Sequence, residues 1–339
     1  MSAHSLLTIA NAAKVSGLSP ATLRRLDDRL KPTGSEGGFR LYDFDAVMNY
    51  VANRKRASRR RPWIDRVFCQ SSVSMPQIPD ESVDLIVTSP PYAGRRGGVD
   101  PDRYVEWFRP FAAECRRVMK RRANFVLVIK EGAISGVRHQ YIHDIVRDLT
   151  SGEFDWLDEY VWSKPCPLPK RPRDTLKDGW ERCHVFGIKG VRDRMLFPHQ
   201  VRKPLKPHHN TVPSARTTAG GFTFAAESFA DLDGAYPSNV LHLPNANDGF
   251  RFKGGAFPVA LADFFIRLYT PDSAAAIVLD PFCGSGSTLV AAVSAGRHYC
   301  GMDNSRTAYH ITMARLAETQ ELLGLGEAVE DALPAEAVG

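Results

Sequence analysis

The chain has 339 residues, 43% of them hydrophobic and 24% charged, with a formal net charge of +6. That is room for one large and one small domain of a soluble globular protein. No apolar run is long enough to cross a bilayer, no signal-peptide pattern opens the chain, and Cys69, Cys115, Cys166, Cys183, Cys283 and Cys300 form no CxxC pair; these facts argue against a membrane protein, a disulfide scaffold and a zinc site, and the expected setting is a reducing cytoplasm.

The charge is uneven. Residues 1–63 hold 12 Lys/Arg against 5 Asp/Glu, and residues 164–216 hold 13 against 4. The tail 321–339 holds 5 acids and no Lys or Arg. Two separate basic zones suggest a polyanion partner, with solvated surface as the alternative.

Taken in chain order, residues 1–53 read as a small unit. A short helix over 9–15 ends at Gly17, and Ser19-Pro20 fits an N-cap and first helical turn. A second helix runs over 21–30, Gly37-Gly38 turns into a strand, and 44–51 makes a third helix. Leu7-Thr8-Ile9, Ala13, Gly17 to Arg25, Leu30-Lys31-Pro32 and Gly37 to Tyr42 resemble the winged helix-turn-helix DNA-binding head of MerR-type regulators. No long dimerising helix follows. The resemblance implies that Ser19, Thr22, Arg24 and Arg25 enter a major groove while Arg40 sits on the wing near phosphate. Residues 54–63 form a basic linker with Arg54-Lys55-Arg56 and Arg59-Arg60-Arg61, read as a strap in which Arg56, Arg59 and Arg60 contact phosphate.

From 64 to 320 strands and helices alternate. Strands are expected at 83–88, 124–129, 155–162, 183–188, 276–280 and 298–303, with helices at 102–119, 138–150, 257–269, 287–296 and 305–320. That order predicts an α/β fold, a mainly parallel, doubly wound sheet covered on both faces. Tyr104, Trp107, Phe108 and Phe111 read as a core stripe rather than a stacking platform; Trp162 reads as core and Lys164 as a solvated head, with a target-pocket role as the alternative for both. About 165–250, and 190–250 above all, is rich in Pro, Gly, His and Asn and reads as an inserted recognition segment. His184, His199, His208 and His209 lack metal-ligand spacing, so no metal is expected. Residues 321–339 read as a disordered acidic tail.

Two loops carry the chemistry. Asp280-Pro281-Phe282-Cys283-Gly284-Ser285-Gly286-Ser287-Thr288 follows a buried strand and runs into a helix, so its glycine turn offers backbone N–H groups and a helix N-terminus to a ligand. Asp303 ends a second strand about 20 residues on, where an acid can take a ribose diol. A nicotinamide enzyme shares these features, but the turn comes late in the chain and lacks the third glycine of that fingerprint. The other loop, Thr88-Ser89-Pro90-Pro91-Tyr92, is stiffened by two prolines. The Ser89 hydroxyl and the Pro90 carbonyl are acceptors that can orient an exocyclic amine, and Tyr92 can stack on an extruded base. No cysteine lies in this loop to attack a pyrimidine ring.

Together these segments resemble the β group of amino-directed (N4-cytosine/N6-adenine) DNA methyltransferases that use S-adenosylmethionine. The similarity also takes in 78–86, Trp162-Ser163-Lys164-Pro165, Ala256-Phe257-Pro258 and 278–303. It implies a Rossmann-like core. Phe282, Gly284, Gly286, Ser287 and Thr288 would line the methyl donor, with Asp280 at the strand end. Asp303 would hold the ribose, and Phe257 and Pro258 would pack near the methionine end. Cys69-Gln70 stand where the family often has Gly-Asp, so Gln70 would face the donor's adenine. Gly254-Gly255 replace a histidine commonly found before Phe-Pro. Ser89, Pro90, Pro91 and Tyr92 would be catalytic, and a serine at that first position favours N4 of cytosine. The expected function is site-specific methylation of a flipped base in double-stranded DNA. N6-adenine methylation, a transcription regulator with a secondary methyltransferase domain, and methylation of RNA or a small amine stand as alternatives. A homodimer and a cognate restriction endonuclease are left open as partners.

Overall fold

The computed structural model describes residues 6–9, 11–12, 23, 34–36, 39–48, 61–94, 98–134, 137–165, 179–202, 236–245, 256–273, 275–323 and 325. The expected helix over 21–30, the linker over 54–60 and the candidate DNA contacts Ser19, Thr22, Arg24, Arg25, Arg56, Arg59 and Arg60 fall outside these residues, Leu23 excepted.

In the N-terminal part, β1 (Leu6–Thr8), β2 (Gly34–Glu36) and β3 (Phe39–Asp43) make an antiparallel sheet in the order β1-β3-β2. The strand expected after Gly37-Gly38 is β3; β2, which was not expected, pairs with it, and Arg40 sits on β3 opposite Ser35. Ala12, Leu23, Tyr42 and Val47 are buried together, and Leu325 from the far end of the chain packs on them.

The large sheet has eight strands: β4 (Arg66–Cys69), β5 (Val83–Thr88), β6 (Met119–Ile129), β9 (Phe154–Ser163), β10 (Trp180–Ile188), β11 (Val240–His242), β12 (Ile277–Asp280) and β13 (His298–Asp303). A short hairpin, β7 (Ala133–Ile134) with β8 (Val137–Arg138), stands apart. Across the large sheet the order is β11-β9-β10-β6-β5-β12-β13-β4. Among these described strands only β10 runs against the rest, since β6 and β9 both pair with it antiparallel while every other pairing is parallel.

Strands buried on both faces should read as continuous apolar runs. β5 and β12 nearly do, with only Asp84, Thr88 and Asp280 polar, and every residue of both is buried. Their side chains alternate between two cores. Ile86, Phe125, Leu127, Ile277 and Leu279 face α1 (Tyr104–Val118) and α2 (Tyr141–Ser151). Leu85, Val87, Val126, Val128 and Val278 face α3 (Val259–Tyr269), α4 (Ser287–Ser294) and α5 (Arg306–Leu322). The one buried acid inside β5, Asp84, accepts from Ile277 N (2.9 Å) and Lys120 Nζ (2.8 Å), so it ties β5 to both neighbours.

The expected strands and helices between 83 and 320 are present with ends shifted by a few residues. β6 starts at Met119 rather than 124 because Lys120 to Arg122 are polar and carry no apolar signal, although Lys120 is held by Asp84. The recognition segment expected over about 165–250 contains two strands of the sheet, β10 and β11. β11 has three residues and pairs with β9 through Leu241 opposite Trp162. Residues 321 and 322 continue α5 rather than opening the tail, and Leu323 is buried behind them. Among the described residues no helix is long and apolar enough to cross a membrane.

Candidate active site

β4, β5, β12 and β13 are parallel, so the residues that follow them leave the sheet at one edge. Those residues are Gln70, Ser89, Pro281 and Asn304. A cavity of about 470 Å³ opens there, a volume suited to a nucleoside-sized ligand. Ser89, Pro90, Pro91 and Tyr92 line it together with Phe282, Gly284 and Ser287. The two loops, some 190 residues apart in sequence, thus share one chamber. Gln70, Phe257, Asp280 and Asp303 also reach it, whereas Gly286, Thr288 and Pro258 stand outside its lining.

Gly284 and Gly286 both have positive φ, 52° and 82°, a region that L side chains avoid. At Gly286 a Cβ would also lie 2.8 Å from Thr312 Cγ2. Gly286 is the N-cap of α4, between the lining residues Ser285 and Ser287. Cys283 N donates to Met302 O at 2.9 Å and joins the turn to β13. Asp303 accepts from Gly284 N (2.9 Å) and Ser305 N (2.8 Å). Burial pushes its carboxyl upward from the usual carboxylate range, against those two donors. Each carboxylate oxygen has a second acceptor site, so Asp303 can still take a ribose diol. With Phe282, the α4 N-terminus and the chamber volume, this set fits S-adenosylmethionine.

Asp280 plays a different part. It is 1% exposed and its oxygens are engaged: Thr88 Oγ1 (2.6 Å) and Phe282 N (3.0 Å) donate to Oδ1, and Thr288 Oγ1 (2.7 Å) donates to Oδ2. It clasps the end of β5, the glycine turn and the start of α4. Burial pushes its carboxyl up to about 6 although three donors oppose the shift. Thr288 is therefore a clasp residue, and Pro258 is the N-cap of α3. Cys283, buried in the wall, has a thiol raised well above its ordinary range by burial, which disfavours the nucleophilic thiolate.

The Ser-Pro-Pro-Tyr loop is held from below by Tyr104, whose hydroxyl donates to Pro91 O at 2.6 Å. Ser89 Oγ donates to Tyr92 Oη at 3.3 Å, and Tyr92 Oη donates to Glu181 Oε2 at 2.7 Å. β10 runs against its neighbours, so Glu181, near its start, arrives at the edge where β5 ends. Lys164 follows β9 and donates to Glu181 Oε1 at 2.5 Å. Its side chain is 12% exposed, so the solvated head expected for Lys164 is wrong: a buried carboxylate and the Trp162 ring, 4.2 Å away, hold it. Trp162 is core, as expected, with Nε1 donating to Leu243 O.

Sequence reasoning missed several lining residues. Trp107 and Phe111, assigned to a core stripe, line the cavity and pack on Phe282 at centroid distances of 5.9 and 4.8 Å. Their i, i+4 spacing puts them on one helix face, but nothing local says that this face meets the glycine turn. Ser72 Oγ donates to Pro281 O at 2.6 Å and fixes the turn from β4's side. Glu181 has no local motif; it becomes visible only through the reversed direction of β10.

The model of the N6/N4 DNA methylase family matches residues 83–314. The Escherichia coli (strain K12) protein YubD is 45% identical over 267 residues, 76% of this chain and 92% of its own. Type II methyltransferase M.PvuII of Proteus hauseri is 26% identical over 255 residues, covering 66% of this chain and 75% of its own. The solved structure of PvuII DNA methyltransferase (cytosine-N4-specific) superposes with a TM-score of 0.55 at 20% identity, covering 77% of this chain and 93% of that one. A DNA modification methylase from Thermus thermophilus, complexed with S-adenosyl-L-methionine, gives 0.52 at 22% identity over 75% and 93%. With the proline-stiffened loop and the glycine turn lining one chamber at one sheet edge, and with two thirds of its length matched, the chain belongs to the S-adenosylmethionine-dependent DNA methylases that modify exocyclic amines.

Proposed function

We propose that the chain methylates N4 of cytosine at a specific site in double-stranded DNA. The observation that carries this reading is the single chamber lined by both the Ser89–Tyr92 loop and the Phe282–Ser287 turn. Ser89 stands at the loop's first position, where a neutral hydroxyl can accept one N–H of a weakly nucleophilic amine and Pro90 O can accept the other. Tyr92 stacks on the extruded base. The donor supplies an electrophilic methyl group when bound. Asp303, Phe282, Gln70 and Phe257 hold and orient it, and the apolar wall of Trp107 and Phe111 keeps water from the reacting atoms. The name of M.PvuII's structure, cytosine-N4-specific, supports the choice of N4 over N6 of adenine.

Residues 1–53 act as a MerR-like winged head on DNA, through Ser19, Thr22, Arg24, Arg25 and Arg40, and Arg56, Arg59 and Arg60 strap phosphates. The excess of cations over acids in 1–63 supports this. Residues 165–250 read the flanking sequence. Relatives named as type II methyltransferases support a restriction–modification setting, with an endonuclease reading the same site.

Mass spectrometry of nucleosides from DNA incubated with the protein and labelled donor tests the reading. N4-methylcytosine is expected with the wild type and is lost with Ser89→Ala. N6-methyladenine alone would overturn the choice of base, and no methylated base of either kind would overturn DNA as the substrate.

A further inference from the structure

Glu181 lies outside the lining of the donor chamber, yet it is 7% exposed and bonded to the loop that holds the amine. Ser89 Oγ, Tyr92 Oη and Glu181 Oε2 form an unbroken chain with spacings of 3.3 and 2.7 Å, and both donors point toward Glu181. A serine that donates its hydroxyl proton keeps its lone pairs for accepting. Ser89 lines the cavity, so those lone pairs are what an incoming amine meets. Lys164 Nζ at 2.5 Å compensates the charge of the buried carboxylate, which alone would be costly.

We propose that this chain carries away the proton released by amine methylation, with Glu181 as its terminal acceptor. The proposal rests on reading Ser89–Tyr92 as the loop that holds the amine. In the reaction the nitrogen lone pair forms the N–CH3 bond while the donor's C–S bond breaks and its electron pair returns to sulfur. The nitrogen is then positive and carries one surplus proton. That proton passes to Ser89 Oγ as Ser89 gives its own to Tyr92 Oη and Tyr92 gives its own to Glu181 Oε2. Serine and tyrosine end neutral with their hydrogen bonds reversed, the methylated amine ends neutral, and Glu181 ends as a carboxylic acid. An exocyclic base nitrogen protonated in this way is a stronger acid than a carboxylic acid, so the transfer is downhill even beside Lys164. Glu181 returns its proton to water when product leaves. It touches neither base nor donor and acts through Tyr92 and Ser89 as a positioning and proton-accepting residue.

The test compares Glu181→Gln, Tyr92→Phe, their double variant, Glu181→Asp and Ser89→Ala in the full-length protein. Three readouts are taken: single-turnover methyl transfer, donor affinity by calorimetry, and base extrusion by 2-aminopurine fluorescence. Glu181→Gln and Tyr92→Phe are each expected to slow transfer by about 100-fold, with donor affinity and extrusion within about twofold of wild type. The double variant is expected within about threefold of the slower single one, because both cut one chain. Glu181→Asp should recover part of the rate. Glu181→Gln working within about threefold of wild type while Ser89→Ala is inactive overturns the relay and leaves the loop reading intact. Ser89→Ala working at the wild-type rate overturns the loop reading. Multiplicative losses in the double variant, or a parallel loss of donor affinity or extrusion in Glu181→Gln, make Glu181 structural and overturn the relay.

Discussion

Asp280 is a buried carboxylate set among apolar strand ends, and three donors account for its survival there. Its carboxyl is pushed up to about 6 by burial, so the folded chain holds this proton more tightly than the unfolded chain does. The group's contribution to stability is therefore fully present below the unfolded carboxyl range, near pH 4, and is lost as pH rises through about 6. Thr288→Val removes one donor from the ionised form. It should destabilise the protein by about 2 kcal/mol at pH 8 and by clearly less at pH 5, where a protonated Asp280 needs fewer donors; denaturant unfolding at the two pH values measures this, and equal losses would contradict the clasp. Gly286 gives a second case. With φ at 82° and Thr312 in the way of any Cβ, Gly286→Ala should cost about 1–3 kcal/mol and lower the melting temperature. A melting temperature equal to wild type would show that the turn tolerates a side chain.

At the scale of elements, α5 braces the glycine turn. Thr312 Oγ1 donates to Gly284 O at 2.7 Å, and Arg315 Nη1 donates to Ser285 O at 2.7 Å from a buried position. Arg315→Met keeps the stem and removes the donors, so donor affinity should fall about tenfold. Calorimetry reads this directly, and an unchanged affinity would assign the brace to Thr312 alone. Most of the elements were legible in the amino-acid order, β4 excepted. Val83–Thr88 and Ile277–Asp280 are mostly apolar runs, broken only by Asp84 and by the polar ends Thr88 and Asp280, and a run of that kind predicts a strand buried on both faces. The two loops were legible because proline and glycine restrict or free the backbone at positions that line the shared chamber. β11 was not, since three residues in a Pro- and Asn-rich stretch carry no period. Nor were Trp107 and Glu181. Their contacts depend on which helix face meets the glycine turn and on which way β10 runs, and both are properties of the tertiary fold. The solvated-head reading of Lys164 failed for the same reason: its partner lies 17 residues away on the next strand.

The whole molecule joins a basic N-terminal part to a catalytic sheet. Leu325, just past α5, packs on both the small N-terminal core and the large core beside α4 and α5. The helix that braces the glycine turn therefore leads to the contact between the two parts. If the linker straps DNA, replacing Arg56, Arg59 and Arg60 together with Gln should weaken binding to all sequences alike. It should also flatten the plot of log affinity against log salt by about 2 to 3; an unchanged slope would leave the linker a solvated tether. The central claim is that two distant loops make one reaction chamber. Its most direct test is a crystal structure of the protein with duplex DNA carrying its mapped site and a donor analogue bearing an amine in place of the methyl sulfonium. The analogue should lie along Phe282–Ser287 with its ribose on Asp303, and the extruded base should stack on Tyr92 with its exocyclic amine between Ser89 Oγ and the analogue's amine. An analogue bound elsewhere, or a base seated away from Ser89, would contradict the account.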